Sequence, residues 1–280
     1  MKQGLLYNQV LPLSLTIVVL AVLSCILYVV ITLLNALPVS EKILTQIHLT
    51  DVLVGATIYL KTAVDFAIFM GRVMNSNPGW KNRIAIEIGT GLGNALGTIA
   101  ILVIWTFFKE IQILLALMVF IASLVLFELA HGGLEHFATW KQEKGIKSTL
   151  YLGMEGFLEP VLRLISPILS KVMPDLGAKL RGTKTLTWGS LFVFSFSVPF
   201  ILGLDDFAGY VPLFNVVNVF GFSLGVFGAH ALLNIALFIS PGRTVAWVKN
   251  EWVSFFGSLA FILLAFWGLY EVAKILLNYR

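Results

Sequence analysis

The sequence predicts an all-α polytopic membrane protein with one N-terminal helix, then two sets of three helices in an inverted repeat, and a cytoplasmic amphipathic segment between the sets. Three observations carry this. The 280 residues are 58% hydrophobic and 12% charged, with mean hydropathy +0.91, so most of the exterior must meet lipid. Several apolar runs approach or exceed the roughly 20 residues a helix needs to cross about 30 Å of hydrocarbon. Finally, "KTAVDFAIF" (61–69) and "LGLDDFAGY" (202–210) both contain Asp-Phe-Ala, and each leads to an asparagine in a small-residue helix, Asp65 to Asn94 and Asp206 to Asn234.

In chain order the expected spans are 10–34, 51–73, 84–108, 111–130, 187–214, 217–240 and 252–275, about seven in all, each bounded by charged, Asn, Gly or Pro residues. They group as an N-terminal helix and loop (1–50), a first three-helix repeat (51–130), a cytoplasmic connection (131–186) and a second three-helix repeat (187–280). The first run is long and lacks a small-residue cleavage pattern, so it is expected to be a retained helix. Cys25, the only cysteine, excludes an intramolecular disulfide and a thiol-pair relay. In the connection, Leu158, Leu162, Ile165, Leu169, Val172 and Leu176 recur at helical spacing among Glu155, Glu159, Arg163, Lys171, Pro160 and Pro167. That pattern suits a proline-broken amphipathic segment on the membrane surface or a soluble linker.

A cytoplasmic N-terminus puts fourteen Lys and Arg on the inner side and four, Lys42, Lys109, Lys274 and Arg280, outside, with Lys61 inside a span. This positive-inside bias places the C-terminus outside and the chain in the cell (inner) membrane. The basic pI is then a matter of orientation, and no nucleic acid is expected. An odd number of crossings separates the two Asp-bearing helices, so they run in opposite directions. Inverted repeats of this kind hold their sites near mid-bilayer at the repeat interface.

Carboxylates at that depth cost roughly 2.5–3.5 kcal/mol on insertion scales and must face protein or water. Asp65 with Asp205 or Asp206 is therefore a candidate cation site, and structural ion pairing is the competing reading. Asp205 and Asp206 lie about 100° apart on a regular helix, so Gly203 is expected to unwind it. Lys61, four residues before Asp65, is either a neutralising strut or a gate. Glu87, Gly91, Asn94 and Thr98 share one face of a helix and are expected to line the cavity, while the glycines equally suit close helix packing. His230 and Asn234, at i and i+4, add imidazole and amide ligands suited to Mn²⁺, Cd²⁺ or Zn²⁺, though a packed histidine fits the same pattern. In "FELAHGGLEHF" (127–137), Glu128, His131, Glu135 and His136 form a second constellation. It reads either as a loading or sensing site or as a polar helix end cut by Gly132 and Gly133.

Taken together, "AVDFAIFMG" with "GTGLGNALG" and "LDDFAGYVPLF" with "GVFGAHALLN" resemble the lysine-exporter superfamily, in particular its cadmium-resistance and tellurium-resistance (TerC-like) branches. The resemblance covers about 51–130 and 187–275. It implies three-plus-three helix repeats with acidic motifs in the first helix of each half. This chain departs from the pattern in having Phe66 directly after Asp65 and Lys61 beside it.

The expected function is secondary transport, as an exporter of a divalent metal cation, by alternating access. Proton coupling would run through Asp205, Asp206 or His230. No catalytic activity is expected, and no Gly-rich Lys-Ser/Thr phosphate loop is present for ATP hydrolysis. No cofactor is expected, because the metal is the cargo. The expected partners are that cation, protons and membrane lipids, with a homodimer admissible. The alternatives are a membrane-embedded metalloenzyme acting on a lipid-type substrate through Glu128, His131, Glu135 and His136, and an exporter of an organic cation or amino acid.

Overall fold

The structure, a computed structural model, describes residues 10–39, 41–143, 159–160, 163, 187–202, 210–215 and 217–278. These form helices α1 (Leu11–Asn35), α2 (Leu49–Thr62), α3 (Val64–Ser76), α4 (Trp80–Phe108), α5 (Gln112–Glu143), α6 (Trp188–Leu202), α7 (Val219–Ile239), α8 (Pro241–Val248) and α9 (Glu251–Asn278), with a 3-10 turn at Leu213–Asn215. No strand occurs among the described residues. Helices α1, α4, α5, α7 and α9 are each long and apolar enough to cross a bilayer.

Three expectations are corrected. The span at 51–73 is two helices, α2 and α3, bent by 67°. Thr62 stands at the break, and its hydroxyl donates to the Ile58 and Tyr59 carbonyls at 3.2 and 3.1 Å, competing with the backbone ladder just before Ala63; Thr90 makes the same pair of bonds within the unbroken α4, so the bend also needs the packing around it. Lys61 therefore lies in the last turn of one helix and Asp65 in the first turn of the next, so the regular i, i+4 register expected between them is interrupted. The span at 187–214 does not continue as one helix to its end, since the residues after Pro212 form the 3-10 turn, as the missing proline N–H favours. The third correction is at Gly132 and Gly133, which do not cut α5. An interior glycine costs only about 1 kcal/mol, and the helix beyond is held by Leu134 and Phe137, both buried. The amphipathic segment lies outside the described residues apart from Glu159, Pro160 and Arg163, where Arg163 Nη2 donates to Glu159 Oε1 at 2.6 Å on an exposed face.

The chain divides into two compact units that take helices from both halves of the sequence. The first comprises 1–107, 176–207 and 217–248, and the second 108–175, 208–216 and 249–280. In the first unit, glycines set the helix contacts. A Cβ on Gly89 would lie 2.8 Å from the Phe192 carbonyl oxygen, and one on Gly93 would overlap the Phe196 carbonyl. Trp188 Nε1 donates to the Lys81 carbonyl at 3.0 Å, so α4 and α6 run parallel. Likewise Gly221 meets Asp51, Gly225 meets the Val52 carbonyl, and Gly71 meets Leu237, so α2–α3 runs parallel to α7. Lipid gives no hydrophobic drive between helices, and such backbone-close contacts supply the packing instead.

Helices α4 and α7 are antiparallel, because Arg83 sits 6.0 Å from the Phe238 ring while Thr90 bonds Asn234. Helix α1 follows α4, with Val19 and Leu23 over Gly91 and the Tyr28 ring 6.1 Å from Phe220 at the start of α7. Phe69 of α3 stacks at 5.5 Å on Phe194 of α6. These directions gather the starts of α4 and α6 and the ends of α3 and α7 on one side, with Arg72, Lys81, Arg83 and Arg243 there. In the second unit α5 packs antiparallel to α9. Ser123 abuts Gly268, Phe127 meets Phe266 at 5.4 Å, and Phe137 meets Trp252 and Phe255 at 5.5 and 4.6 Å.

Candidate functional site

The polar face foreseen on α4 is buried inside the first unit, with Glu87 at 1% exposure, Asn94 at 3% and Thr98 at 0%. Helix α7 brings His230 and Asn234 to the same place. Their one-turn spacing puts both on one side of α7, and the antiparallel register sets that side against Glu87, Thr90 and Asn94. Helix α1 closes the third side with Thr16, and α2 brings Tyr59. Glu87, Asn94, His230 and Asn234, separate candidates in the sequence, thus belong to one cluster.

With the Asn234 amide oriented as it is, the cluster's hydrogen bonds are satisfied by one tautomer of His230. The Thr90 hydroxyl donates to the Ile86 carbonyl at 2.8 Å, which leaves its oxygen as acceptor for Asn234 Nδ2 at 3.1 Å. The same Nδ2 lies 3.0 Å from His230 Nε2, so Nε2 carries no proton and accepts. The ring proton is then on Nδ1, donated to Tyr59 Oη at 2.6 Å. Phe66 and Tyr59 hold the imidazole with ring centroids 5.4 and 5.6 Å away. The Glu87 carboxyl group lies within hydrogen-bonding reach of the Thr16 hydroxyl and the Asn234 amide. Glu87 Oε2 and Asn234 Oδ1 are nevertheless buried without a hydrogen-bond partner. Leaving such groups unmade costs about 1–3 kcal/mol each, more when charged.

Thr16, Glu87, Gly91, Asn94 and His230 line a cavity of about 10 Å³ with Leu23, Phe227 and other apolar side chains. That volume is close to what one water requires. The cluster therefore gathers one carboxyl group, one imidazole whose two nitrogens are both hydrogen-bonded, and amide and hydroxyl oxygens.

Asp205, Asp206 and Gly203 lie outside the described residues. The Asp65 backbone begins α3 directly before Phe66, the residue that packs on His230; its side chain is not described. Lys61 is half-buried at the end of α2. On α5, Glu128 and His131 are half-buried and Glu135 is exposed, and the His136 side chain is not described. No set of three or more His, Cys, Asp or Glu side chains that could hold a metal occurs among the described residues, so Glu128, His131 and Glu135 are not gathered as one. Sequence reasoning missed Thr16 and Tyr59, and neither carries a local signal beyond being polar in an apolar helix.

The fold defines an α-helical membrane protein, by its helices and by the length and apolarity of five of them. Comparisons with family models, characterised proteins and solved structures find no match to the chain.

Proposed function

We propose that the chain is a secondary transporter of a divalent cation, built as an inverted repeat that alternates access around the α4–α7 cluster. The observation that carries the reading is the pairing of helix directions. With α2–α3, α4 and α5 as one half and α6, α7 and α9 as the other, the first helix of each half packs parallel on the second helix of the opposite half. The two second helices are antiparallel, as are the two third helices, in agreement with opposite topology. The cluster lies where the second helices cross, and the α2–α3 break beside it is the kind of discontinuity that transporters place at a substrate site.

In this reading the buried carboxyl group of Glu87 and the imidazole of His230 attract and orient the cation. Asp65, Asp205 and Asp206, as sequence candidates, supply the rest of the negative charge. Proton and cation compete for the same donors, which couples export to a proton gradient. The cluster of Arg72, Lys81, Arg83 and Arg243 marks the cytoplasmic side, with the N-terminus inside and the C-terminus outside. The resemblance to the lysine-exporter superfamily points the same way.

The test is flux into proteoliposomes across a panel of divalent cations, with and without a pH gradient. Transport of at least one cation, lost in Asp65→Asn and in Asp206→Asn with insertion and folding intact, is the expected result. No flux of any cation under either condition overturns the proposal.

A further inference from the structure

We infer that the α2–α3 junction is an elbow hinged at Ala63, and that His230 of α7 is the latch that holds it bent. The elbow is tested by a distance alone; its purpose, opening and closing a path beside the α4–α7 cluster, rests on the transport reading. The hinge is one residue wide. Ala63 ends α2 and precedes α3 with φ −73° and ψ 16°, where a regular helix has ψ of about −42°, so the 67° bend accompanies a departure in one soft torsion. Hinges of this kind sit at element ends and absorb the torsion change in a few residues. Both arms stay bonded up to it: the Ala63 N–H donates to the Tyr59 carbonyl at 2.8 Å, and the Ala67 N–H donates to the Ala63 carbonyl at 2.9 Å.

The bend needs a cause beyond Thr62, because Thr90 makes the same two bonds without breaking α4. His230 touches both arms. Its Nδ1 lies 2.6 Å from Tyr59 Oη in the last turn of α2, and its ring centroid lies 5.4 Å from that of Phe66 in the first turn of α3. The imidazole is itself anchored. Its Nε2 accepts from the Asn234 amide at 3.0 Å, and the same amide donates to the Thr90 hydroxyl at 3.1 Å. Three hydrogen bonds thus run from α2 through α7 to α4, and the elbow is tied to the crossing of the two second helices.

The glycine contacts decide which arm moves. A Cβ on Gly55 would overlap the Phe222 carbonyl, and one on Gly225 would overlap the Val52 carbonyl, so α2 and α7 meet backbone to backbone. At Gly71 of α3 the neighbours are the side chains of Val245, Leu237 and Pro241, and Phe69 packs on the Phe194 ring at 5.5 Å. Side chains re-pack by changing rotamer, whereas backbone contacts have no such freedom. Helix α2 is therefore the fixed arm and α3 the moving one. Asp65 lies in the first turn of the moving arm, so release of the latch shifts the backbone that carries this sequence candidate.

The test is the distance between spin labels at Leu53 and Asn75, both exposed, read by pulsed double electron–electron resonance on the full chain in liposomes with Cys25 removed. These positions lie ten and twelve residues from Ala63. At 1.5 Å per residue their backbones are about 28 Å apart with the 67° bend and about 33 Å apart in a straight helix. The protein with His230 intact should give the shorter distance. His230→Leu, which loses both hydrogen bonds and the ring, should move the main distance outward by about 5 Å. Tyr59→Phe, which breaks only the bond to Nδ1, should add a longer population beside the short one. Tyr59→Phe in the His230→Leu background should add nothing, because the shared contact is already gone; a further lengthening there overturns the latch. If His230→Leu fails to fold, Tyr59→Phe carries the test, since it removes one oxygen and keeps the ring. A distance unchanged by Tyr59→Phe and by folded His230→Leu overturns the inference and leaves the transport reading standing. Lengthening as expected in a protein that moves no cation overturns only the transport reading.

Discussion

Replacing Gly93 by alanine puts a methyl group onto the carbonyl oxygen of Phe196, and at Gly89 the same change puts one 2.8 Å from the Phe192 oxygen. An ordinary carbon–oxygen contact needs about 3.3 Å, so the Gly89 site falls about half an ångström short and the Gly93 site falls shorter still. Both obstructions are backbone, which no rotamer change can clear, so α6 must move away from α4. Overpacking of this kind costs about 1–3 kcal/mol. Alanine returns up to about 1 kcal/mol of helix propensity at the same position.

Gly93→Ala should therefore be about 1–2 kcal/mol less stable than wild type, and Gly89→Ala less affected. One separation of the helices relieves both clashes, so the double variant should cost little more than Gly93→Ala alone, a departure from additivity that marks a shared interface. The controls are Gly132→Ala and Gly228→Ala, where an added methyl meets nothing within 4 Å; these should be neutral or slightly stabilising. The assay is reversible unfolding in mixed micelles by SDS titration. Gly93→Ala as stable as Gly228→Ala would refute the close α4–α6 contact and, with it, one of the parallel pairings on which the inverted repeat rests.

With Cys25 removed, cysteines at Ser148 and Asn278 should label with a membrane-impermeant maleimide from opposite sides, because an even count of crossings cannot reconcile the charge asymmetry with the pairing of helix directions. Labelling from the same side would refute this. His131→Ala together with His136→Ala should leave cation flux within about twofold of wild type, since no metal-holding set is gathered among the described residues there; loss of flux in a folded double variant would restore a loading role to that helix. Thr62→Val should straighten the junction of α2 and α3 by removing the hydroxyl that competes for the Ile58 and Tyr59 carbonyls. The distance between spin labels at exposed Leu53 and half-buried Phe69 would then lengthen, and an unchanged distance would assign the bend to packing instead.

What the sequence determined by itself is what depends on local composition. Hydropathy is summed over consecutive residues, so the long apolar helices at 11–35 and 219–239 were legible within one or two residues at either end, and the helix at 80–108 within four at its start. Helical periodicity put Glu87, Asn94 and Thr98 on one face and paired His230 with Asn234, and all five are buried. The break at Ala63 was not legible, because a threonine in an apolar run bends a helix only when its hydroxyl competes at a junction that neighbouring helices stabilise. Nor was the continuation of α5 past Gly132 and Gly133, because contact with α9 outweighs a weak glycine propensity. Only the tertiary structure joined the two faces into one cluster and added Thr16 and Tyr59 to it. Tyr59 and His230 are 171 residues apart, and no periodicity reaches across such a distance. That contact exists because Gly221 and Gly225 let α2 approach α7 closely enough for a phenol to reach an imidazole.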